Sequence, residues 1–402
     1  MIEILNAIWR HGISLILVLA LLSPIEALRV GPDGKIRVIA FGDVIDQYHG
    51  YNSFTIVRYD PAIAYTPVPT RPDYVTPETA QRNLRIYMPR TYKRLAEGYD
   101  IITTSDAFQT LFRPDWINWM TDSVTEGGLG FQWLGTFATD STDEKNWFGT
   151  TIGDIAPVGP TPELTISGSF RFLINDHEEE LMKSLPWEGA PPVLNLNTQT
   201  PREGASVWGL TDHPKGYPFI TYWRVGQGAV MNFASKFPAG VEPWARSWRY
   251  FPQAMIYMIY RLADKRLPED PEIFEEITLQ LIELDEMRSF LIELLSFVEN
   301  FGGRIDKLHA RIVETDGIKA LAEKAYLEGN FDECLARLGE VREEHTAISQ
   351  AAIDAKGNAL FWVYVVEWCS MMATFMISSI ILWSLMIRRR LYREVGTSRM
   401  VG

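Results

Sequence analysis

The chain has 402 residues, a formal net charge of −13, 47% hydrophobic residues and two cysteines. The acidic balance argues against a nucleic-acid partner, which needs a basic face to displace phosphate counterions. Cys334 and Cys369 stand 35 residues apart on one predicted helical path, far too distant to pair, so no disulfide framework exists within the chain.

At the amino end, Arg10 and His11 precede an apolar run over 13–22, followed by Pro24 and a small-residue cleavage point after Ala27. Residues 1–27 therefore read as a secretory signal, or as an uncleaved signal anchor, because the amino flank is weakly basic and Ile25 suits the minus-three position poorly. Either version exports the domain behind it. No Asn-x-Ser/Thr acceptor occurs, so N-glycans are not expected on the exported part.

Residues 28–267 alternate predicted strand and helix. Residues 35–41 are a continuous apolar strand ending at Gly42, 90–97 a short helix, and 99–104 a second apolar strand closed by the polar turn Ser105-Asp106. Trp116, Trp119, Met120 and Val124 recur at helical spacing until Gly127-Gly128, and 129–134 forms a third strand before Gly135. Strands apolar on both faces and separated by helices imply an α/β fold with a parallel sheet flanked by helices. In such sheets ligands sit beyond the carboxyl ends of strands. Asp43, Asp46 and His49 fall there, and carboxylates with an imidazole can hold a divalent metal. Ser105 and Asp106 end another strand, where a nucleophile can stand. A loop spacing fixes no geometry, however, and no histidine is assigned to Ser105, so solvated loop residues and a turn cap are the plainer readings. No metal or cofactor is assigned. Asp176-His177 opens the acidic run 178–180 and reads as a solvated helix start. Nine of the 13 tryptophans lie in this region, mostly at core-facing periods, which favours burial or a protein interface over stacking on sugar rings.

The run Glu126-Gly127-Gly128-Leu129-Gly130-Phe131-Gln132-Trp133-Leu134-Gly135, then Trp147 and Thr151-Ile152-Gly153-Asp154-Ile155-Ala156-Pro157-Val158, resembles the uncharacterised class I glutamine amidotransferase-like family. The resemblance continues through Asp176-His177, Leu185-Pro186-Trp187, a hairpin at Gly226-Gln227-Gly228 and Trp248 and Tyr250 leading into 257–262, covering residues 35–266. It implies a class I amidotransferase fold without that activity. Working members carry a cysteine nucleophile in a G-x-C-x-G-x-Q turn, with histidine and glutamate downstream. Here the run Gly128-Leu129-Gly130-Phe131-Gln132 has glycine in place of cysteine, no cysteine precedes Cys334, and no histidine follows Phe237 within the domain. Gln132 joins Asp43, Asp46, His49, Ser105 and Asp106 as the candidate ligand-binding set. Related non-catalytic domains of this fold serve as oligomerisation modules, a role the resemblance makes available by analogy.

After Pro268 the composition shifts to long acidic helices: residues 268–357 hold 21 acidic against 9 basic side chains, a net −12. Phe274, Ile277, Leu281, Leu284, Met287, Leu291, Leu294 and Val298 step by three and four until Gly302-Gly303. A second helix runs from about Arg304 to Tyr326, with a break at Gly317 left open, and 325–331 resembles the turn of a tetratricopeptide-like hairpin. The last helix carries Phe331, Cys334, Leu338, Val341, His345, Ile348, Ala352, Ala355 and Ala359 as a packing seam, with a bend available at Gly357-Asn358. His345 on that seam reads as a residue that fixes register or meets a carboxylate. A bundle or stalk of about three helices is expected.

Residues 368–387 contain no charged side chain and would rise roughly 30 Å as a helix, the thickness of a bilayer core. With its aromatic approach the membrane helix is taken as 358–387. Phe361, Trp362, Tyr364 and Trp368 mark one interface and Trp383 the other, while Arg388, Arg389, Arg390 and Arg393 assign the tail, 388–402, to the cytoplasm. The large domain is then extracytoplasmic on a single-pass plasma-membrane protein. Ser370, Thr374 and Ser378 recur every fourth residue and permit close approach of another membrane helix, though a lipid-facing stripe accounts for them equally well. Glu367 near the outer headgroups is best explained by a partner's basic group. The expected partners are the lipid bilayer and a membrane protein or second copy of the chain. The function expected is a non-enzymatic structural or binding subunit of a cell-envelope membrane complex. Its alternatives are a metal-dependent or serine hydrolase acting on envelope polymers, and a small-ligand surface receptor, the latter weakened by so short a tail.

Overall fold

The computed structural model describes residues 31, 33–44, 55–71, 74–135, 147–235, 244, 247–303 and 305–398. The amino-terminal segment 1–27, Asp46 and His49 lie outside the described residues. The chain divides into two compact units, Met1–Thr278 and Leu279–Gly402.

Among the described residues the first unit holds ten strands: β1 (Ile36–Gly42), β2 (Ile63–Pro69), β3 (Ile101–Ser105), β4 (Gly130–Leu134), β5 (Val158–Phe170), β6 (Phe172–Ile174), β7 (Val193–Pro201), β8 (Ser206–Thr211), β9 (Pro218–Val225) and β10 (Gly228–Phe233). Eight of them form one sheet in the order β2-β1-β3-β4-β10-β9-β8-β6, and β5 pairs with β7 apart from it. Strands β2, β1, β3, β4 and β10 run parallel; β9, β8 and β6 extend the sheet by antiparallel pairing. The parallel sheet expected from sequence is therefore only the larger part of a mixed one. The antiparallel part begins at the hairpin expected around Gly226-Gln227-Gly228, which joins β9 to β10 with Gly226 at φ 58°. Strand β2 is hidden in the sequence because Pro67 and Pro69 read as strand breakers, and at the sheet's edge their missing N–H groups do no harm.

Helices cover both faces. On one side Ile39, Phe41, Ile102, Phe131 and Val230 share a core with residues of α1 (Pro77–Tyr87), α2 (Tyr92–Gly98), α3 (Pro114–Thr125) and α4 (Thr151–Asp154), and with Trp147. The hydroxyls of Thr76 and Thr91 accept the Thr79 and Arg94 N–H groups and so start α1 and α2, and Pro77 and Pro114 occupy first helical turns where no N–H is required. The short α5 (Glu180–Lys183) begins three residues past His177. On the other side α6 (Phe251–Leu262) buries every residue but Arg261, as an interior helix must. At the amino edge of the sheet, Asp100 accepts hydrogen bonds from the Arg37 backbone N–H, Nε and Nη2 at 2.8, 3.0 and 2.8 Å. Of the nine tryptophans of this region, Trp116, Trp133, Trp147, Trp187, Trp208, Trp244 and Trp248 are buried, while Trp119 and Trp223 are partly buried against the core. These nine tryptophans are thus interior packing.

Helix α7 (Pro271–Asn300) carries the chain into the second unit, followed by α8 (Asp306–Leu327) and α9 (Phe331–Ser398). Leu291, Leu294 and Leu295 of α7, Ile312 of α8, and Ile348 and Ala352 of α9 form one core. Each helix pair is also bridged by charge: Arg288 with Asp316, Arg311 with Glu344, and Arg342 with Glu283. Both turns are reversed by left-handed glycines, Gly302 at φ 77° and Gly329 at φ 79°, with Gly303 N–H returning to the Val298 carbonyl and Asn330 N–H to that of Ala325. Helix α8 runs unbroken through Gly317 and α9 through Gly357-Asn358. A glycine inside a helix costs only about 1 kcal/mol, which the flanking seams offset.

Candidate functional site

Strand order decides where the parallel half of the sheet opens. The chain leaves β1 for β2 on one side and reaches β3 on the other, so the crevice at a topological switch point lies beyond the carboxyl ends of β1 and β3. Gly42 and Asp43 leave β1 there, Ser105 and Asp106 leave β3, and Thr70 and Arg71 leave β2. The strand ends are tightly joined: Asp43 N–H donates to the Ser105 carbonyl at 2.8 Å and Thr70 N–H to that of Gly42 at 3.2 Å. Asp106 is held at φ 49°, one of two left-handed non-glycine residues among those described.

Into this crevice Arg71 brings one guanidinium between two carboxylates. Its Nη1 stands 2.7 Å from Asp43 Oδ2 and 3.2 Å from Asp106 Oδ2, and its guanidinium also overlies the Tyr74 ring at 4.9 Å. The Asp106 side chain is 1% exposed, those of Asp43 and Arg71 14% each. Charge-assisted contacts of this kind are strong and directional. Such a site can recognise hydroxyl or amino groups. It holds no nucleophile and base in hydrogen-bonding array among the described residues, where no group of three His, Cys, Asp or Glu side chains is placed to hold a metal either.

Three sequence-predicted ligand residues, Asp43, Ser105 and Asp106, thus meet at one edge. The Asp106 carboxylate faces Arg71. Gln132 lies elsewhere. It sits in the middle of β4 under α6, fully buried, with Nε2 3.6 Å from the Met258 sulfur. The run Gly128-Leu129-Gly130 likewise enters β4 at its amino end, where Gly130 packs on Leu262 and Ile101, so it is no strand-to-helix turn of the kind a nucleophile needs. The glycine-rich run has the residue types of such a turn at the wrong end of its strand. Arg71 escapes a reading of the sequence together with β2, and the signal available is its place directly after an edge strand.

Among the described residues α9 is the one helix long and apolar enough to cross a membrane, and none of its most apolar stretch is buried. Glu367, Ser370, Thr374 and Ser378 fall on one stripe of it. The Thr374 hydroxyl donates to the Ser370 carbonyl at 2.9 Å, so it is satisfied within the helix and the stripe offers small size more than free polarity. Cys334 is buried on the bundle seam and Cys369 is exposed on the apolar stretch, both as free thiols.

No protein-family model matches the chain, and no curated protein matches it. Among solved structures, two cytoplasmic proteins of Salmonella typhimurium align over 56% of this chain and 99% of their own, at 17% and 14% identity and a TM-score of 0.45 each. A catalytic mutant of a GH42 beta-galactosidase from G. stearothermophilus aligns over 57% of this chain and 30% of its own, at 9% identity and a TM-score of 0.34. Likenesses this distant carry no functional argument.

Proposed function

We propose that this chain is a single-pass membrane protein whose α/β head, related to the class I amidotransferase-like proteins but without their thiol chemistry, acts as a structural or binding subunit of a cell-envelope complex. The observation that carries the reading is α9, one uninterrupted helix whose first half packs in a three-helix core and whose second half presents an apolar surface with no protein cover. Hydrophobic surface of that length is stable in lipid. The arginines at 388–390 and 393 favour a cytoplasmic tail and an extracytoplasmic head. Both cysteines of the chain belong to α9, which removes the thiol nucleophile from the head altogether. A second reading, capture of a small hydroxyl- or amine-bearing ligand by the head, is favoured by the Asp43–Arg71–Asp106 trio. For the hydrolase alternative, the described residues near Ser105 are carboxylates and a guanidinium, and Asp46 and His49 lie outside the described residues.

Gentle extraction in mild detergent, chemical cross-linking and sizing test the subunit reading. The expected result is a defined assembly larger than one chain plus its detergent, with cross-links from α7 to α9 or the membrane segment. A monodisperse monomer that yields no cross-links would overturn it.

A further inference from the structure

His345 occupies the seam of α9 in the second unit at 2% exposure, and neither ring nitrogen has a hydrogen-bond partner. A neutral imidazole always carries one N–H, so a donor is buried here at a cost of about 1–3 kcal/mol. An apolar residue of similar size would avoid it. We propose that His345 is a proton-operated latch: taking up a proton from solvent, it draws Asp316 away from Arg288 and loosens the α7–α8–α9 bundle at the root of the membrane helix.

The surroundings supply both halves of the device. From α7 comes Arg288, from α8 Asp316 and Lys319, and from α9 itself Glu344. In the neutral state both carboxylates are engaged: Arg288 Nε and Nη2 hold Asp316 at 2.8 and 2.9 Å, and Arg311 Nε holds Glu344 at 2.7 Å. An imidazolium formed among them would be desolvated and repelled by Arg288 and Lys319, and the carboxylates that attract it, Asp316 first and Glu344 after, are each already held by an arginine. Burial lowers the proton affinity of His345 first of all; Asp316 and Glu344 pull it up, and Arg288 and Lys319 push it down, with a net lowering. A group whose folded pKa lies below its unfolded value binds fewer protons when folded, so the bundle loses stability as pH falls below about 6.5 and continues to lose it down to the folded value. The Asp316 carboxyl, depressed by its hydrogen bonds to Arg288, weakens the bundle only at far more acid pH.

Hydrogen–deuterium exchange on the full chain in lipid nanodiscs tests this, with rates corrected for intrinsic exchange. Peptides of α8 and α9 around residues 312–348 should lose protection, by up to about tenfold, on going from neutral pH to one unit below the ordinary histidine pKa, while peptides of the sheet in the first unit keep theirs. His345→Leu should abolish the loss and raise protection at neutral pH. His345→Gln, which removes the proton site but keeps a polar side chain, should abolish the loss even if the leucine variant does not assemble. A flat wild-type profile, a loss shared equally by the sheet peptides, or a loss retained in His345→Gln would overturn the proposal.

Discussion

At Gly42 a Cβ would stand 1.7 Å from the carbonyl oxygen of Ser105, at a φ of 105° that L side chains rarely adopt. Gly42→Ala must therefore push β1 away from β3 at the mouth of the crevice, and a loss of about 3 kcal/mol or more is expected in denaturant unfolding of the first unit. Arg71 works in the opposite sense, by attraction. Arg71→Leu leaves the Asp43 and Asp106 carboxylates together without their shared cation, at an expected cost of about 2–4 kcal/mol. Adding Asp43→Asn and Asp106→Asn to Arg71→Leu should recover part of that loss in the same unfolding assay. No recovery would mean that Arg71 supports the fold through contacts other than these carboxylates.

Among the elements, the bundle makes the sharpest prediction. Leu338 is fully buried on the α9 seam, and Leu338→Ala should cost about 2–5 kcal/mol in thermal or denaturant unfolding. The Arg288–Asp316 bridge, with both side chains more than a third exposed, should add little by comparison. Its contribution is present above the ordinary carboxyl range and fades as pH drops through the depressed Asp316 value, a loss that Asp316→Asn removes. The helices of this unit were legible in sequence because period and punctuation agree: apolar steps of three and four run up to Gly302-Gly303 and resume after Gly329, where the chain does reverse. The strands β1, β3 and β4 were legible as buried apolar runs between helices. The β9–β10 hairpin was given by the resemblance at Gly226-Gln227-Gly228; strand β2, the β5–β7 pair and the outer strands β8 and β6 were not legible, β2 because prolines disguise an edge strand. The crevice was half legible. Asp43, Ser105 and Asp106 follow strands that could be read, whereas Arg71 follows one that could not, and Gln132 belongs to a motif whose position along its strand the sequence does not encode.

Taken whole, the molecule joins a mixed α/β sheet unit to a three-helix unit whose last helix continues as an uncovered apolar rod. Phe375, 71% exposed near the middle of the charge-free stretch, should tolerate leucine freely. Phe375→Lys should disfavour insertion by about 2.5–3.5 kcal/mol and shift the protein from the carbonate-resistant membrane pellet to the soluble or aggregated fraction. The sidedness of the chain is the claim on which the subunit reading rests, because an envelope complex can engage the head only from outside. Adding protease to intact cells measures it most directly. An exported head is predicted to be shaved away while a fragment spanning the apolar part of α9 and the arginine tail stays with the membrane; a head that resists until the cells are lysed would contradict it.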